Sequence, residues 1–390
     1  MTRILYLFIL CFFITTCANK KTNTSTSAND KKDNTTKQNT SKSNEKPLSE
    51  ADSLDLKIGQ MIMVGINSRT VLTNTDTLNN ELKKRKMGGI IIFEKNINPT
   101  NSKENLKKLI ADLQASSPIK LLISIDEEGG KVHRLKEKYG FVKMPSATYL
   151  GSQKNTDSTT FYTLSLAEQL AYLGINLNFA PDVDLGSNPN NPVIAKVGRS
   201  YSPNPDVVTK HADASITAHH QHNVKTILKH FPGHGSSTTD SHLGITDVTN
   251  LWKLNELFPY NNLIKANKVD AIMTAHIINC HLDSTCLPAT LSKTIVGDLL
   301  RNIMGFNGVV FSDDMQMFAI SKNYGLDNAL KLSINAGVDV VLFGNNVSQS
   351  DRITATEIHA KIKKMVLSGE ISKARINEAY QRIMKLKATL

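Results

Sequence analysis

From Leu56 onward the chain alternates short, unbroken apolar runs with longer stretches in which apolar residues recur every three or four positions. Eight such runs stand out: KIGQMIMVGI, GGIIIFEKNI, LLISIDEEGG, GINLNFAPDVDL, VKTILKHFPGHG, VDAIMTAHIIN, GVVFSDDM and GVDVVLFGNN. An apolar run that does not alternate with polar residues predicts a strand buried on both faces, as in a parallel sheet covered by helices. The intervening segments KENLKKLIADLQ, SLAEQLAYLG, DVVTKHADASITAHHQ, SKTIVGDLLRNIMG and LDNALKLSINAG have helical spacing, and several stop at a glycine. Eight strand–helix units within one domain predict an α/β fold of the (β/α)8 TIM-barrel type, closed by the final RINEAYQRIMKLKATL helix.

The residues before this pattern read differently. MTRILYLFILCFFITTC has one arginine followed by an apolar run from Ile4 to Ile14, which is short for a membrane span and suits an export signal over 1–17. Cys17 closes a segment that resembles the lipobox of bacterial lipoproteins, with Thr16 where Gly, Ala or Ser is usual; this implies lipidation of Cys17 and an exported, membrane-anchored protein. Residues 18–50 are almost entirely Asn, Lys, Thr, Ser, Asp and Gln without an aromatic residue, a composition that cannot offset ordering entropy and predicts a disordered tether. The barrel domain is therefore expected over 51–390. Cys11 leaves with the signal, and Cys280 and Cys286 remain as either a local disulfide or two free thiols. The net charge of +11 is partly that of the N-terminal segment, and the remainder is spread without a basic run, which argues against a nucleic-acid partner. Nothing in the sequence fixes an oligomeric state.

In a barrel of this kind chemistry belongs at the C-terminal ends of the strands, where the loops share one mouth. The polar residues follow that polarity: Asp126 ends strand three, Asp182 and Asp184 strand four, Lys229 and His230 strand five, His276 strand six, Asp313 and Asp314 strand seven. A metal site is one reading, since histidines and aspartates abound. Pro232 and Gly233 between His230 and His234, however, forbid the helix that would place both histidines on one face, so no metal and no cofactor is expected. Glycoside chemistry is the other reading. FSDDM supplies a carboxylate for an oxocarbenium-like centre, and DSH places Asp240 two residues before His242, where it can orient an imidazole able to give and take a proton near neutrality.

Together, KHFPGHGSSTTDSH, IDEEGGKVHRL, NFAPDVDLGSNPNNPVI, MTAHI, PATLS and FSDDMQM closely resemble the single-barrel β-N-acetylglucosaminidases of glycoside hydrolase family 3, which act in peptidoglycan turnover. The resemblance implies a retaining exo-hydrolase of carbohydrate, with Asp313 as nucleophile and His242 as acid/base partnered by Asp240 on a mobile loop. It implies that Asp126, Arg134, Lys229 and His230 hold the sugar's hydroxyls, and that Arg199 joins them from beyond a longer than usual NPVIAKVGRS run. Glu127, Lys131 and His133 stand where the family more often has Gln, Arg and Gln, with effects expected at the rim of the site. Within the same family, β-glucosidase or β-xylosidase activity is the alternative.

Overall fold

The computed structural model describes residues 50–390; the export segment, Cys17 and the polar tether lie outside the described residues. Eight parallel strands close into one barrel: β1 (Ile62–Gly65), β2 (Gly89–Ile92), β3 (Leu122–Ile125), β4 (Leu177–Asn178), β5 (Lys225–Phe231), β6 (Ala271–Thr274), β7 (Val309–Asp314) and β8 (Val340–Phe343), each paired with its sequence neighbours and β8 with β1. Every strand lies within one of the eight apolar runs, and the expected TIM barrel forms. Helices Ser102–Ser116, Asp157–Leu173, Pro205–Gln221 and Leu326–Ala336 form the outer ring between strands, and Ala355–Leu367 and Lys373–Lys387 complete it. Gly174 and Gly337 end two of these helices in the left-handed region, at φ 85° and 119°, which accounts for the glycines that close the amphipathic stretches. Between β6 and β7 the crossover Thr294–Ile303 is a π-helix, which its apolar spacing alone does not distinguish from an α-helix.

β4 is much shorter than its apolar run because Pro181 cannot donate to the ladder; pairing resumes only as an isolated bridge between Asp182 and Lys229. Two other departures from regularity position the site. Against β6, β5 advances three residues, Leu228 to Phe231, while β6 advances two, Ile272 to Thr274. Against β8, β7 likewise advances from Phe311 to Asp314 while β8 moves only from Val340 to Leu342. Each strand thus carries one extra residue at its C-terminal end, a bulge that re-aims side chains at a barrel rim. The bulge in β5 falls on Lys229 and His230, that in β7 on Ser312 and Asp313.

The opposite end of the barrel is closed by Asp339, fully buried, which takes Arg301 Nη2 at 2.6 Å and Arg382 Nη1 at 3.3 Å. A cavity of about 360 Å³ lined by Lys225, Asp270 and Arg382 lies at this N-terminal end of the strands, away from the mouth. No helix among the described residues is long and apolar enough to cross a membrane.

Candidate active site

β3 delivers Asp126 and then turns sharply. Gly129 and Gly130 take φ of 98° and 59°, and a Cβ on Gly129 would stand 2.2 Å from the Pro145 carbonyl, so only glycine fits there. The turn buries Glu127 and Glu128 in different directions. Glu127, 1% exposed, accepts the backbone N–H groups of Arg134 (2.8 Å) and Leu135 (3.0 Å) and pairs with the His133 ring. The rim effects expected of Glu127 and His133 are not what the structure shows: the tight turn folds both inward, where they form a buried brace that fixes where Arg134 stands. Lys131 alone of the three is exposed.

Glu128 is the centre of the charge network. It accepts Arg199 Nε and Nη2, both at 2.8 Å, and pairs with Lys229 Nζ at 2.6 Å. Lys229 also donates to Asp126 Oδ1 (2.8 Å), whose other oxygen takes Arg134 Nη2 at 3.4 Å. Arg199 reaches Asp182 Oδ2 at 3.3 Å and His230 Nε2 at 3.2 Å, while His230 Nδ1 faces Asp184 Oδ2 at 2.7 Å. Because Arg199 can only donate, His230 Nε2 accepts and its Nδ1 carries the proton given to Asp184. Burial works against ionising Glu128, yet Arg199 and Lys229 hold it down at about 2; Asp184, equally buried, is held at about 2 by His230. Burial and the charges of Asp184 and Glu128 push Asp182 the other way, well above the usual carboxylate range. Asp182, Asp184 and His230 bring candidate metal-ligand atoms within 4.8 Å of one another, but the Asp184–His230 hydrogen bond and Arg199 beside Asp182 already balance that cluster.

On β7 the two aspartates diverge. Burial raises Asp313, but its histidine neighbours, His276 first, and the Asp314 N–H it accepts at 2.7 Å together bring it below its ordinary value. Burial pushes Asp314 up to about 6, and its carboxylate packs where a Cβ on Gly344 would stand 2.5 Å away. Both carboxylates line the mouth, and Asp313 is the one held ionised. His276 donates Nε2–H to the Asp314 carbonyl (3.0 Å) and accepts from Thr290 at Nδ1 (2.8 Å), bracing this strand end from β6.

The loop after β5 begins rigid and ends exposed. Gly233, at φ 119°, lies against Glu256, and a Cβ on Gly235 would meet the Leu185 carbonyl at 1.8 Å. Asn191 Nδ2 donates to the His234 and Gly235 carbonyls (2.8 and 3.1 Å), and His234 bonds Ser237 (2.9 Å) and Ser241 (3.1 Å). His234 therefore holds the base of the loop. Beyond it Asp240 Oδ1 accepts both the backbone N–H and the Nδ1–H of His242, each at 2.8 Å, which leaves Nε2 free to exchange a proton. The His242 side chain is 60% exposed. The loop returns through Thr246–Asp247, which pairs with Ile277–Ile278 as a small parallel sheet outside the barrel, next to the disulfide Cys280–Cys286.

Asp126, Arg134, Arg199, Lys229, His230, His242 and Asp313 all line one cavity of about 230 Å³, with Phe93, Met273 and Met317 among its apolar walls. Asp240 stands behind His242. The structure thus brings together the catalytic and sugar-holding residues expected from the sequence; it adds Glu128, and it gives Asp182 and Asp184, expected at the end of strand four without a binding role, a place in the charge network.

A parallel barrel whose mouth sets an ionised carboxylate and a loop-borne His/Asp pair beside a network of acidic and basic side chains has the groups that glycoside chemistry needs. Residues 53–386 match the model of the glycosyl hydrolase family 3 N-terminal domain, and the chain belongs to that family. It is 34% identical over 327 residues to beta-hexosaminidase A of Pseudoalteromonas piscicida, covering 79% of this chain and 54% of that one. To beta-hexosaminidase of Tolumonas auensis it is 36% identical over 270 residues, covering 68% and 78%. Among solved structures it resembles a family 3 beta-N-acetylglucosaminidase from a Paenibacillus species, with TM-score 0.78, 33% identity and coverage of 86% of this chain and 62% of that one. The chain thus spans about half to two thirds of two of these relatives, and more of the Tolumonas protein.

Proposed function

We propose that the protein is a retaining exo-β-N-acetylglucosaminidase that releases terminal β-linked N-acetylglucosamine, with peptidoglycan fragments as its substrate. The observation that carries this reading is the single cavity onto which both Asp313 and His242 open. Asp313 attacks the anomeric carbon as the bond to the aglycone oxygen breaks, and His242 Nε2 gives that oxygen its proton. The resulting Asp313 ester is then cleaved by a water whose proton His242 takes, so the β configuration returns. Lys229, Asp126, Arg134, Arg199 and His230 hold the ring by its hydroxyls while this happens. The cavity, at about 230 Å³, is smaller than the about 300–1,000 Å³ of sites for drug-sized ligands, a size for one sugar ring and hence for attack at a chain end.

The hexosaminidase names of its relatives favour N-acetylglucosamine over glucose or xylose at this site. Hydrolysis of a panel of 4-nitrophenyl β-glycosides by residues 51–390 tests the assignment: the N-acetylglucosaminide should be cleaved far faster than the glucoside or xyloside. Equal or greater rates on glucoside or xyloside would contradict it.

Export and lipidation at Cys17 complete the proposal, supported by the apolar segment before Cys17, the polar tether after it, and a disulfide that belongs to an oxidising compartment. Cys17→Ala should release the full-length chain from the membrane fraction; equal retention would rule the anchor out.

A further inference from the structure

His242 is suspended between two anchors. On one side the Ser241 hydroxyl meets His234 Nε2 at 3.1 Å and ties the loop to its rigid base. On the other, Thr246 and Asp247 pair with Ile277 and Ile278, and the Val248 N–H donates to the Ile278 carbonyl at 2.9 Å. Between the anchors the chain is open to solvent. Leu243 and Ile245 are exposed, and a Cβ on Gly244 would meet nothing within 4 Å among the described residues. Where His242 stands therefore depends on the second anchor as much as on the first.

That second anchor is small. A two-stranded sheet with two residues on each strand is marginal by itself, and its apolar support is a separate cluster of Val248, Ala275 and Ile277 with Trp252 against it. The segment that presents Ile277 and Ile278 is tied off covalently instead. It leaves β6, pairs with the acid/base loop, turns through 279–287 and returns where Pro288 bridges to Ile278. The Cys280–Cys286 disulfide closes this turn. At one end of the bond, the Cys280 N–H donates to Thr249 Oγ1 at 2.9 Å, and that hydroxyl donates to Asp247 Oδ1 at 2.6 Å, so the cross-linked residue itself touches the returning limb of the acid/base loop. At the other end Cys286 has φ 53°, in the left-handed region that a non-glycine residue keeps only where its surroundings impose it. Opening the bond frees Cys286 to relax, and with it Cys280 and the short strand before it. The far limb is held independently, because the Thr290 N–H donates to the Ala275 carbonyl at 3.2 Å and its hydroxyl bonds His276 Nδ1 at 2.8 Å. The brace beside Asp313 thus stays in place when the turn loosens, and the acid/base loop does not.

We infer that Cys280 and Cys286 are positioning residues for His242: their disulfide holds the strand on which the acid/base loop is hung, so opening it impairs proton delivery to the leaving group and spares attack by Asp313. This rests on the acid/base role proposed above for His242. Cys280→Ser combined with Cys286→Ser removes the cross-link and keeps the backbone N–H that Thr249 accepts. Read as kcat/KM, which reports the steps up to departure of the aglycone, cleavage of chitobiose should fall about tenfold, short of the about 100-fold that a 1 Å misplacement can cost, because the Ser241 anchor remains. 4-Nitrophenyl N-acetylglucosaminide, whose aglycone departs with little protonation, should stay within about twofold of normal. Dithiothreitol should reproduce the pattern in the unmodified protein: two electrons and two protons pass to the sulfurs, two thiols form, and the reagent closes to its cyclic disulfide. Added to His242→Ala, the paired cysteine substitutions should change neither rate by more than about twofold. Equal loss on both substrates, no loss on either, or a further tenfold loss on chitobiose in the His242→Ala protein overturns the positioning role while leaving the activity intact. If His242→Ala alone slows both substrates equally, or the unmodified protein cleaves neither, the reading beneath the inference is overturned instead.

Discussion

Replacing Glu128 by Gln tests whether the net proposed to hold the sugar depends on a residue that does not itself line the cavity. The carboxylate receives two bonds from Arg199 and one from Lys229, and its side chain is 4% exposed. Gln keeps one acceptor oxygen, enough for Lys229 and one arm of Arg199, but turns the other arm into a donor that faces an Arg199 N–H. One charge-assisted bond, worth about 1.5–3 kcal/mol, is lost. The full cost of breaking a buried pair, about 3–5 kcal/mol, is not reached, because Lys229 keeps Asp126 at 2.8 Å and Arg199 keeps Asp182 at 3.3 Å, with Asp182 free to shed its proton. A net loss of about 2–3 kcal/mol follows, and each 1.4 kcal/mol is about tenfold in an equilibrium. The loss divides between fold and site. Urea unfolding should show a lower midpoint with an unchanged slope, and kcat/KM on 4-nitrophenyl N-acetylglucosaminide should fall about 10- to 50-fold. KM should carry most of that change, since in the proposed mechanism Lys229 and Arg199 hold the ring in ground and transition state alike. Glu128→Asp, which restores the charge, should recover part of it. A Glu128→Gln protein with kcat/KM within twofold of normal and an unchanged unfolding midpoint would refute the reasoning.

Two further predictions follow from the site. His242→Ala should slow disaccharides, which need protonation to depart, by at least about 100-fold more than activated aryl glycosides; azide should partly restore aryl-substrate turnover, and Asp240→Ala should show both effects more weakly. Uniform slowing of both substrate types without azide rescue would make the loop histidine a binding residue. Glu256, buried under Gly233, is pushed up from 4.5 to about 7 by burial, so its folded form holds a proton that the unfolded chain releases; its contribution is intact below pH 4.5 and is lost as pH rises toward 7, by an upper bound of about 3 kcal/mol. Glu256→Gln should therefore be stabilised relative to the parent at pH 8 and not at pH 4.5, measured by urea midpoints at both values; a pH-independent difference would contradict this.

The strands and their polar ends were legible because an unbroken apolar run that stops at a charge fits little besides a buried strand ending at a rim. Asp126, Lys229, His230 and Asp313 could be placed at the mouth on that basis, and DSH marked itself by spacing. The residues whose roles stayed hidden in the sequence are those whose direction depends on backbone detail. Glu127 and Glu128 are adjacent and alike, and only the Gly129–Gly130 turn decides that one braces Arg134 while the other enters the charge network. Asp182 and Asp184 did carry a signal, since residues two apart on extended chain share a face. The bulges in β5 and β7 have no residue signature, yet they fall where Lys229, His230 and Asp313 meet the mouth. Cys280 and Cys286 could be read as bonded or free until the loop between them was seen to bring their Cα atoms to 4.6 Å.

The central claim is that Asp313, and not its neighbour, forms the bond to the sugar. Its carboxylate is kept ionised by the surrounding histidines, whereas Asp314 is pushed up to about 6 and packed against Gly344. Incubation with a 5-fluoro N-acetylglucosaminyl fluoride, which forms the glycosyl ester but releases it slowly, followed by peptide mass spectrometry, reads the attachment point directly. The account predicts one added sugar on Asp313 and none on the Asp313→Asn protein, whose turnover should also fall by at least about 1,000-fold with the fold retained. A sugar found on Asp314 or Asp184, or labelling that survives Asp313→Asn, would contradict it.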